Sequence, residues 1–360
     1  MKKTLKIKIQ TDESLHGALL STMNVFSLIC NEISEIAFKH KEYRKFQIHK
    51  IVYHEFKTKY KDYSSQLIIR AIDCVALSYK AKGEQRKYPT RFKKNTAVVY
   101  DDRVLSFDNE TISIWTTQGR IKNVPIIIHN KELFKNRVGQ SDLVYQNDKW
   151  YLLVTVDVPE KEKYIPSECI GVDLGVKNIA YTSLGDSYSG DTIEKKRKQY
   201  SSHRQRLQKR GTRSAHRRIN IIGRKESRFR KDTNHVISKQ LVEKAKGNLC
   251  ALALEELKGI NQRTTVRKSQ RNERMSWSFY QLQSFIEYKA LEQGVTVVKV
   301  SPAYTSRTCS ACSHCDKRNR KTQSIFCCLR CGFATNADYN ASLNIKNLGD
   351  QSISLLLGSV

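Results

Sequence analysis

The sequence has no long apolar run. No segment approaches the roughly 18 consecutive apolar residues that a membrane-spanning helix needs. The first residues, Met1 to Lys6, lead into alternating charge and not into the apolar core of a signal peptide. Internal repeats and low-complexity blocks are also lacking. These absences indicate a soluble, intracellular protein without a repeat architecture.

Acidic residues are few compared with basic ones. The chain has 35 Asp and Glu against 64 Lys and Arg, a formal net charge of +29. This excess is larger than solubility requires and is typical of a protein whose partner is a polyanion, with nucleic acid the first candidate. At 360 residues, the chain is long enough for two or three compact units without disulfide support.

Cysteine is sparse except near the C-terminus. Four cysteines are scattered, and the other six fall between Cys309 and Cys331. Without a secretion signal, such clustering favours a metal site over disulfides. Cys309 with Cys312 and Cys328 with Cys331 form two CxxC pairs, which predict a closed, tetrahedral structural zinc site. Cys312 also forms a CxxC with Cys315, so the first pair has an alternative, and Cys327 is a further spare cysteine.

Residue periodicity divides the chain near residues 159–166, a charged segment bounded by prolines. Before it, Thr4 to Ile9 alternates as a strand does, residues 12–82 have helical spacing, and residues 97–158 alternate again. We interpret the two alternating segments as one small β-barrel that a helical insertion interrupts.

After this boundary, short apolar strands alternate with helices, which predicts an α/β domain. The helical part has a break near Gly211, a cap at residues 232–234 for a second helix, and a stop at Gly247. The predicted elements are a hairpin over 168–183, helices over 191–231, 232–247 and 277–293, and strands over 249–254 and 295–300.

Three acidic residues stand out by their positions. Asp173 lies within an apolar strand, Glu255 ends another, and Asp338 begins a C-terminal helix. Taken singly, Asp173 fits a buried salt bridge and Asp338 fits a helix N-cap. Glu256 also follows Glu255 directly, so either of the two can face a metal.

Together the three carboxylates can hold two Mg²⁺ ions, which prefer hard oxygen ligands and cleave phosphodiesters as a pair. None of the nine histidines is spaced as a metal-ligand pair. The sequence therefore predicts a metal-dependent nuclease.

The helical stretch from Lys195 to Lys231 is rich in Lys and Arg. Phosphate contacts would make binding there strongly salt-dependent, whereas the simpler alternative is a solvated charged helix. The candidate nucleic-acid contacts are Arg204, Arg210, Arg213, Arg217, Arg218 and Arg228.

Taken together and in their order along the chain, six short motifs resemble those of the TnpB family of transposon-encoded proteins, relatives of the type V CRISPR effectors. The resemblance rests on Gly171-x-Asp173-x-Gly175, Leu254-Glu255-Glu256-Leu257, Trp277-Ser278-Phe279-x-Gln281-Leu282, Ser306-Arg307-Thr308-Cys309-x-x-Cys312, Cys328-x-x-Cys331-Gly332 and Asp338-x-Asn340-Ala341. Two positions depart from the family pattern. Glu256 stands where the family usually has Asp or Asn, and Ser313 where it usually has Gly.

This resemblance implies an α/β multidomain fold. An RNase H-like RuvC nuclease domain contains an inserted zinc ribbon, and a β-barrel wedge domain, interrupted by a helical recognition domain, precedes it. The implied divisions are a wedge strand (1–11), the recognition domain (12–96), the wedge barrel (97–160), the first RuvC part (161–305), the target-nucleic-acid-binding zinc ribbon (306–335), the last RuvC part (336–348) and a C-terminal tail (349–360).

The resemblance further implies an RNA-guided DNA endonuclease of prokaryotic cytoplasm, acting in transposition. Asp173, Glu255 and Asp338 take the catalytic, Mg²⁺-binding positions, with Mn²⁺ as the alternative metal, and the four CxxC cysteines take the zinc positions. A guide RNA from the transposon end and double-stranded target DNA beside a short adjacent motif would be its partners, and we expect a monomer, with a dimer as the alternative. The competing functions are an RNA-guided DNA-binding regulator and a transposase, although transposases of this fold usually order their acids Asp, Asp, Glu.

Overall fold

The structure is a computed structural model that describes residues 1–82, 87–175, 178–189, 191–256 and 279–357. The chain divides into two compact units, Met1–Pro159 and Glu160–Val360. Among the described residues, no helix combines the length and apolar character that crossing a membrane requires.

The first unit contains a seven-stranded antiparallel sheet in the order β2-β6-β7-β1-β5-β4-β3. Its strands are β1 (Lys2–Ile9), β2 (Val98–Tyr100), β3 (Leu105–Asp108), β4 (Thr111–Thr116), β5 (Gly119–Ile127), β6 (Arg137–Gln146) and β7 (Lys149–Asp157). As predicted, β1 joins the later strands, since it pairs with both β5 and β7.

The sheet is nearly closed. Its two edge strands, β2 and β3, are consecutive in the chain and only residues 101–104 separate them. The Tyr100 hydroxyl also donates a hydrogen bond to the Trp115 carbonyl at 2.9 Å, from β2 to β4. Trp150 is fully buried, as expected of a ring that fills the barrel core.

Three helices lie between β1 and β2: α1 (Glu13–His40), α2 (Lys45–Lys59) and α3 (Ser65–Lys82). Asp12 caps α1 by accepting a hydrogen bond from the Leu15 backbone N–H at 2.7 Å. The apolar stripe of α1 is buried, as its helical spacing predicts. The short helix α4 (Lys131–Lys135) lies between β5 and β6.

The second unit is built on a five-stranded sheet in the order β10-β9-β8-β11-β12. The strands are β8 (Cys169–Asp173), β9 (Asn178–Thr182), β10 (Ser187–Ser189), β11 (Ala251–Glu255) and β12 (Val297–Val300). β8, β11 and β12 are parallel, and β9 and β10 extend the sheet antiparallel.

Helices cover both faces of this sheet. They are α5 (Asp191–Arg210), α6 (Arg213–Gly247), α7 (Phe279–Gln293) and α8 (Ala337–Leu357). α6 and α7 pack on one face and α8 on the other. A small ribbon of β13 (Ile325–Cys327) and β14 (Ala334–Asn336) precedes α8.

One sequence prediction needs correction. The predicted helix start at residues 232–234 is wrong, because α6 is continuous and Asn234 is buried there, donating a hydrogen bond to Gln281 of α7 at 3.1 Å. At the C-terminus, α8 extends past residue 348, where the resemblance implied a domain boundary, and continues to Leu357. Gly349 packs closely on Ala253, and Ile353 is buried. The predicted break at Gly211 is confirmed.

Candidate active site and metal centres

Two acidic residues end neighbouring parallel strands. β8 and β11 pair with Val172 opposite Leu254, so that Asp173 and Glu255 are the next residues on each strand. Neighbouring strands lie about 4.8 Å apart. The register therefore places the two carboxylates side by side at the carboxyl ends of their strands.

Both side chains belong to the face of the sheet that α8 covers. Val172 packs with α6 and α7, whereas Cys169 and Ala253 pack with α8. Side chains alternate between the two faces of a strand. Asp173 lies four positions after Cys169, and Glu255 lies two positions after Ala253. Both differences are even, so the two acidic residues share the α8 face.

Gly171 allows α8 to lie directly on β8. A Cβ atom at this position would lie 2.1 Å from the Ser342 carbonyl oxygen and 2.4 Å from the Lys346 nitrogen, both backbone atoms of α8. Only glycine permits so close an approach of two backbones. The contact brings the first turn of α8 to the end of β8 where Asp173 lies.

Asp338 lies in that first turn. The N-cap interpretation of Asp338 is wrong, since the Asn336 side chain accepts the backbone N–H of Asp338 at 2.8 Å and that of Tyr339 at 3.3 Å. The Asp338 carboxylate instead accepts a hydrogen bond from the Asn178 side chain of β9 at 2.9 Å. The fold thus brings all three predicted carboxylates to one place.

Asp338 is buried, Asp173 and Glu255 are half-buried, and the negative charges repel one another. Burial raises the pKa of Asp173 to about 8, with further contributions from the negative charges of Glu255 and Asp338. Burial also raises the pKa of Glu255, although the Thr305 hydroxyl donates to it at 2.5 Å and lowers it. Such a cluster is destabilising unless a cation joins it, and perturbed carboxylates of this kind mark functional sites.

Arg320 is a site residue that sequence reasoning missed. Its guanidinium lies 3.4 Å from the Asp338 carboxylate, and its charge opposes the rise in the pKa of Asp173. It comes from the segment between the two CxxC pairs. No sequence signal distinguished it from the many other basic residues.

The structure separates the two adjacent glutamates. Glu255 is the last residue of β11 and lies beside Asp173, whereas Glu256 is exposed and its backbone N–H donates to the Val300 carbonyl at 2.9 Å. Glu255 is therefore the one that joins the carboxylate cluster.

The two CxxC pairs converge on one point. The ligand atoms of Cys309, Cys312, Cys328 and Cys331 all lie within 4.8 Å of one another. The Cys309–Cys331 and Cys312–Cys328 sulfur distances are 3.7 and 3.6 Å. A tetrahedron of Zn–S bonds of about 2.3 Å requires sulfurs about 3.8 Å apart, so the donor set fits a structural zinc ion. Cys315 and Cys327 lie outside this cluster.

Local backbone supports this cysteine cluster. Burial raises the pKa of Cys328, but the backbone N–H groups of Cys331 and Arg330, together with neighbouring thiols, bring it down to about 6. The neighbouring thiols contribute to raising the pKa of Cys309, and that of Cys312 to about 12. Without a metal, one thiolate therefore forms at the expense of its neighbours, and a bound cation is needed to hold all four as thiolates. Among the residues that the structure describes, these four cysteines are the only group of three or more His, Cys, Asp or Glu side chains that could hold a metal ion as they stand, and the three carboxylates do not form such a group.

Hydrogen bonds tie the start of the zinc ribbon to α8. The buried Asn340 side chain accepts the Ser310 N–H at 3.0 Å and donates to the Thr308 carbonyl at 2.8 Å. Asn344, one turn later, donates to the Thr305 and Thr308 carbonyls at 2.8 and 2.7 Å. The segment that carries Thr305 is thus fixed to the helix that carries Asp338.

α5 and α6 form a basic hairpin. Five of the six candidate arginines are exposed on it, and α5 buries no residue. Arg204 is the exception, because its guanidinium pairs with the buried Glu226 carboxylate at 3.0 and 3.2 Å and links the two helices. The exposed candidates are Arg210, Arg213, Arg217, Arg218 and Arg228.

Two family models match the second half of the chain. A model described as "Probable transposase" matches residues 151–260, and one described as "Cas12f1-like, TNB domain" matches residues 279–345. The first match contains Asp173 and Glu255, and the second contains the cysteine cluster and Asp338.

Relatives match more of the chain. "CRISPR-associated endodeoxyribonuclease Cas12f1" of Syntrophomonas palmitatica is 29% identical over 74% of this chain and 58% of that protein, so the chain spans little more than half of this relative's length. "Putative RNA-guided DNA endonuclease InsQ" of Escherichia coli is 27% identical over 80% of this chain and 75% of that protein. The fold resembles that of Cas12f1 in a cryo-EM structure with sgRNA and target DNA, with a TM-score of 0.64, 18% identity and coverage of 93% of this chain and 83% of that one.

Proposed function

Because the chain is a TnpB-type relative of the type V CRISPR effectors, we propose that it is an RNA-guided DNA endonuclease. The convergence of Asp173, Glu255 and Asp338 on one face of the sheet carries this proposal. Asp173 and Asp338 each had a simpler explanation alone, but the register of β8 and β11 and the packing of α8 on β8 bring the three carboxylates together.

The three carboxylates are the proposed ligands of two Mg²⁺ ions. A pair of ions held there, roughly 3.5–4 Å apart, would activate a water and stabilise the leaving oxygen of a phosphodiester. Asn178 and Thr305 orient the carboxylates through hydrogen bonds. Arg320 balances part of their negative charge through its ion pair with Asp338, and a guanidinium at this position would also bind a substrate phosphate.

The proposed domains follow the family pattern. Residues 161–305 and 336–357 would form the RuvC nuclease domain and residues 306–335 the target-nucleic-acid-binding ribbon. The nearly closed sheet would be the wedge, with α1 to α3 as the recognition domain that reads the adjacent motif. The mixed sheet with α8 on one face and α6 and α7 on the other supports this arrangement.

A guide RNA and a double-stranded DNA target are the proposed partners. The net charge of +29 and the exposed arginines of the α5–α6 hairpin support a nucleic-acid ligand that is bound through its backbone. Two relatives are named as RNA-guided or CRISPR-associated DNA endonucleases. A monomeric protein of prokaryotic cytoplasm remains our expectation.

The test is purification after co-expression with the transposon-end sequence. We expect bound RNA, and cleavage of linear DNA that carries the complementary target and adjacent motif when Mg²⁺ is added. Asp173→Ala should abolish cleavage and leave the bound RNA unchanged. A protein without RNA that leaves the target intact would reject the proposal. RNA-dependent binding without cleavage by the unaltered chain would instead favour the DNA-binding regulator.

A further inference from the structure

Cys30 and Cys74 lie close together between two helices of the first unit. Cys30 belongs to α1 and is buried, and Cys74 belongs to α3, is half-buried and packs against the same core. The Cys30 thiol faces the turn of α3 that carries Cys74, since its sulfur lies 4.0 Å from the carbonyl oxygen of Ala71, three residues before Cys74. Both cysteines are free thiols. The fold thus joins two of the four cysteines outside the C-terminal cluster.

The two thiols differ in their environments. Burial raises the pKa of Cys30, and the hydrogen bond between the two thiols raises it further. The same hydrogen bond lowers the pKa of Cys74, although burial and the negative charges of Asp142 and Asp73 oppose this change. The thiolate is the form of cysteine that reacts with oxidants. Cys74 is therefore the more reactive of the two, and it is also the less buried one.

A buried cysteine pair can simply fill a core, because cysteine also behaves as a small apolar side chain. The remaining two scattered cysteines fit that description, since burial raises the pKa of Cys169 to about 12 and also raises that of Cys250. Cys74 differs from them by its lowered pKa and by the thiol of Cys30 beside it. An accessible thiol of lowered pKa next to a second, resolving thiol is the arrangement of redox-sensing cysteines.

We propose that Cys74 and Cys30 are an oxidisable pair, which hydrogen peroxide converts to a disulfide between α3 and α1. The Cys74 thiolate attacks one peroxide oxygen, the O–O bond breaks, and a sulfenic acid and hydroxide result. The Cys30 sulfur then attacks the sulfenic sulfur, the S–S bond forms, and the hydroxyl leaves as water with the Cys30 proton. The two thiols lose two electrons, which reduce the peroxide. This inference does not depend on the proposed endonuclease function.

The disulfide would restrain α3 within the first unit. Arg70 of α3 pairs with Asp101 at 2.6 Å, and Asp101 lies in the segment between the edge strands β2 and β3. A bond from Cys74 to Cys30 would therefore connect α1, through α3, to the place where the sheet is nearly closed. A cross-link stabilises a fold mainly by restricting the unfolded chain. Oxidation should thus stabilise the first unit.

The test treats the purified full chain with hydrogen peroxide and maps its disulfides by mass spectrometry of peptides prepared without reductant. We expect a pair of peptides linked through Cys30 and Cys74 that dithiothreitol separates. Cys30→Ser should remove the link and leave Cys74 as a sulfenic acid that dimedone labels, because the resolving thiol is missing. Cys315→Ser, at an exposed cysteine outside the first unit, is the control and should keep the link.

Thermal unfolding followed by tryptophan fluorescence gives a second readout. Two of the three tryptophans, Trp115 and Trp150, lie in the first unit. Oxidation should raise the Tm of this signal by roughly 8–16 °C, the scale for a disulfide that closes a loop of this length, and dithiothreitol should reverse the rise. Cys74→Ser should show no rise under the same treatment, which separates this effect from oxidation of the other cysteines.

The link is sought in the unsubstituted protein, so the result does not require that a serine variant folds. If Cys30 and Cys74 both stay reduced at a peroxide dose that oxidises Cys315, and both react with iodoacetamide after denaturation, the pair only fills the core and the inference is overturned. A link that forms only in unfolded protein would overturn it as well. Target cleavage is measured separately, and its absence would reject the endonuclease function without affecting either result.

Discussion

The second unit contains two candidate metal centres that are assembled in opposite ways. The cysteine centre comes from two tight turns close in sequence, and its sulfurs are packed within 4.8 Å. The carboxylate centre joins residues from β8, β11 and α8, which only the sheet register and one glycine contact bring together. The cysteine centre is closed and suits a structural ion, whereas the carboxylate centre is open and repulsive and suits ions that bind substrate. If this comparison is right, the two centres should respond differently to substitution.

The largest effect is expected at the carboxylate centre. Glu255→Gln should lower the cleavage rate more than about 10³-fold, the scale for removing a catalytic group, because a Mg²⁺ ligand is lost. Glu256→Gln is the matched control, since that side chain is exposed, and should retain activity. Single-turnover cleavage of guide-matched DNA measures both. Equal losses in the two variants would contradict the assignment of Glu255.

The cysteine centre should affect cleavage only indirectly. Cys328→Ser should remove bound zinc and lower cleavage about 10- to 100-fold, the range for lost supporting contacts around a metal, because the ribbon positions Thr305 and Arg320. Cys315→Ser should keep the zinc, since Cys315 lies outside the cluster. Zinc content by elemental analysis and the cleavage rate test this. If zinc-free Cys328→Ser kept full activity, the cysteine centre would have no influence on cleavage at the carboxylate centre.

Arg320 comes from the segment between the two CxxC pairs and contacts the Asp338 carboxylate, and its substitution should have a smaller effect. Its cation lies beside the proposed Mg²⁺ ligands, so Arg320→Gln should tighten Mg²⁺ binding about fivefold or more, for a relieved repulsion of roughly 1 kcal/mol. The cleavage rate should fall in the same variant, because a phosphate-binding group is lost. Titration of cleavage against Mg²⁺ gives both values. Arg318→Gln, at an exposed arginine of the same segment, is the control. Weaker Mg²⁺ binding in Arg320→Gln would contradict the predicted repulsion.

The last prediction concerns the stability of the fold without Mg²⁺ and not the cleavage rate. The pKa of Asp173 rises from about 3.9 in the unfolded chain to about 8 in the folded one, so the folded state binds more protons between these values. The free energy of unfolding therefore falls as pH rises from about 4 to 8. Asp173→Asn lacks this loss and should have the higher Tm at pH 8, by roughly 2–4 °C for each kcal/mol recovered.

Thermal unfolding at pH 5 and pH 8 measures the difference in Tm between Asp173→Asn and the unsubstituted protein. The advantage of Asp173→Asn should shrink at pH 5, and added Mg²⁺ should stabilise the unsubstituted protein more than the variant, because ligand binding to the folded state raises Tm. A variant that is less stable than the parent at pH 8 without Mg²⁺ would show that Asp173 is satisfied by the protein alone.

The sequence predicted the local features best. Spacing identified Cys328 and Cys331, because the pair lies within one turn. For the first pair it left Cys315 with Cys312 as an alternative to Cys309 with Cys312, and the positions of the sulfur atoms decide for Cys309. Acids at the ends of apolar strands pointed to Asp173 and Glu255. Their proximity depends on strand register, which one sequence does not reveal.

Tertiary contacts account for the errors. Asp232-Thr233-Asn234 has the composition of a helix cap, but Asn234 faces Gln281 of α7, and burial against that helix keeps α6 continuous. Arg320 is one of 64 basic residues. Only the folded ribbon, which brings its guanidinium to the Asp338 carboxylate, distinguishes it from the others. Trp277, which the family resemblance included, lies outside the described residues.

The contact at Gly171 has a mechanical consequence. Backbone rests on backbone there, without a side-chain layer that could adjust by changing rotamer. A small rotation of α8 caused by a substitution farther along the helix, for example near Ile353, would therefore reach Asp338 undamped. The distance between Asp173 on β8 and Asp338 on α8 is therefore set by backbone contact, and side-chain repacking cannot correct a change in it.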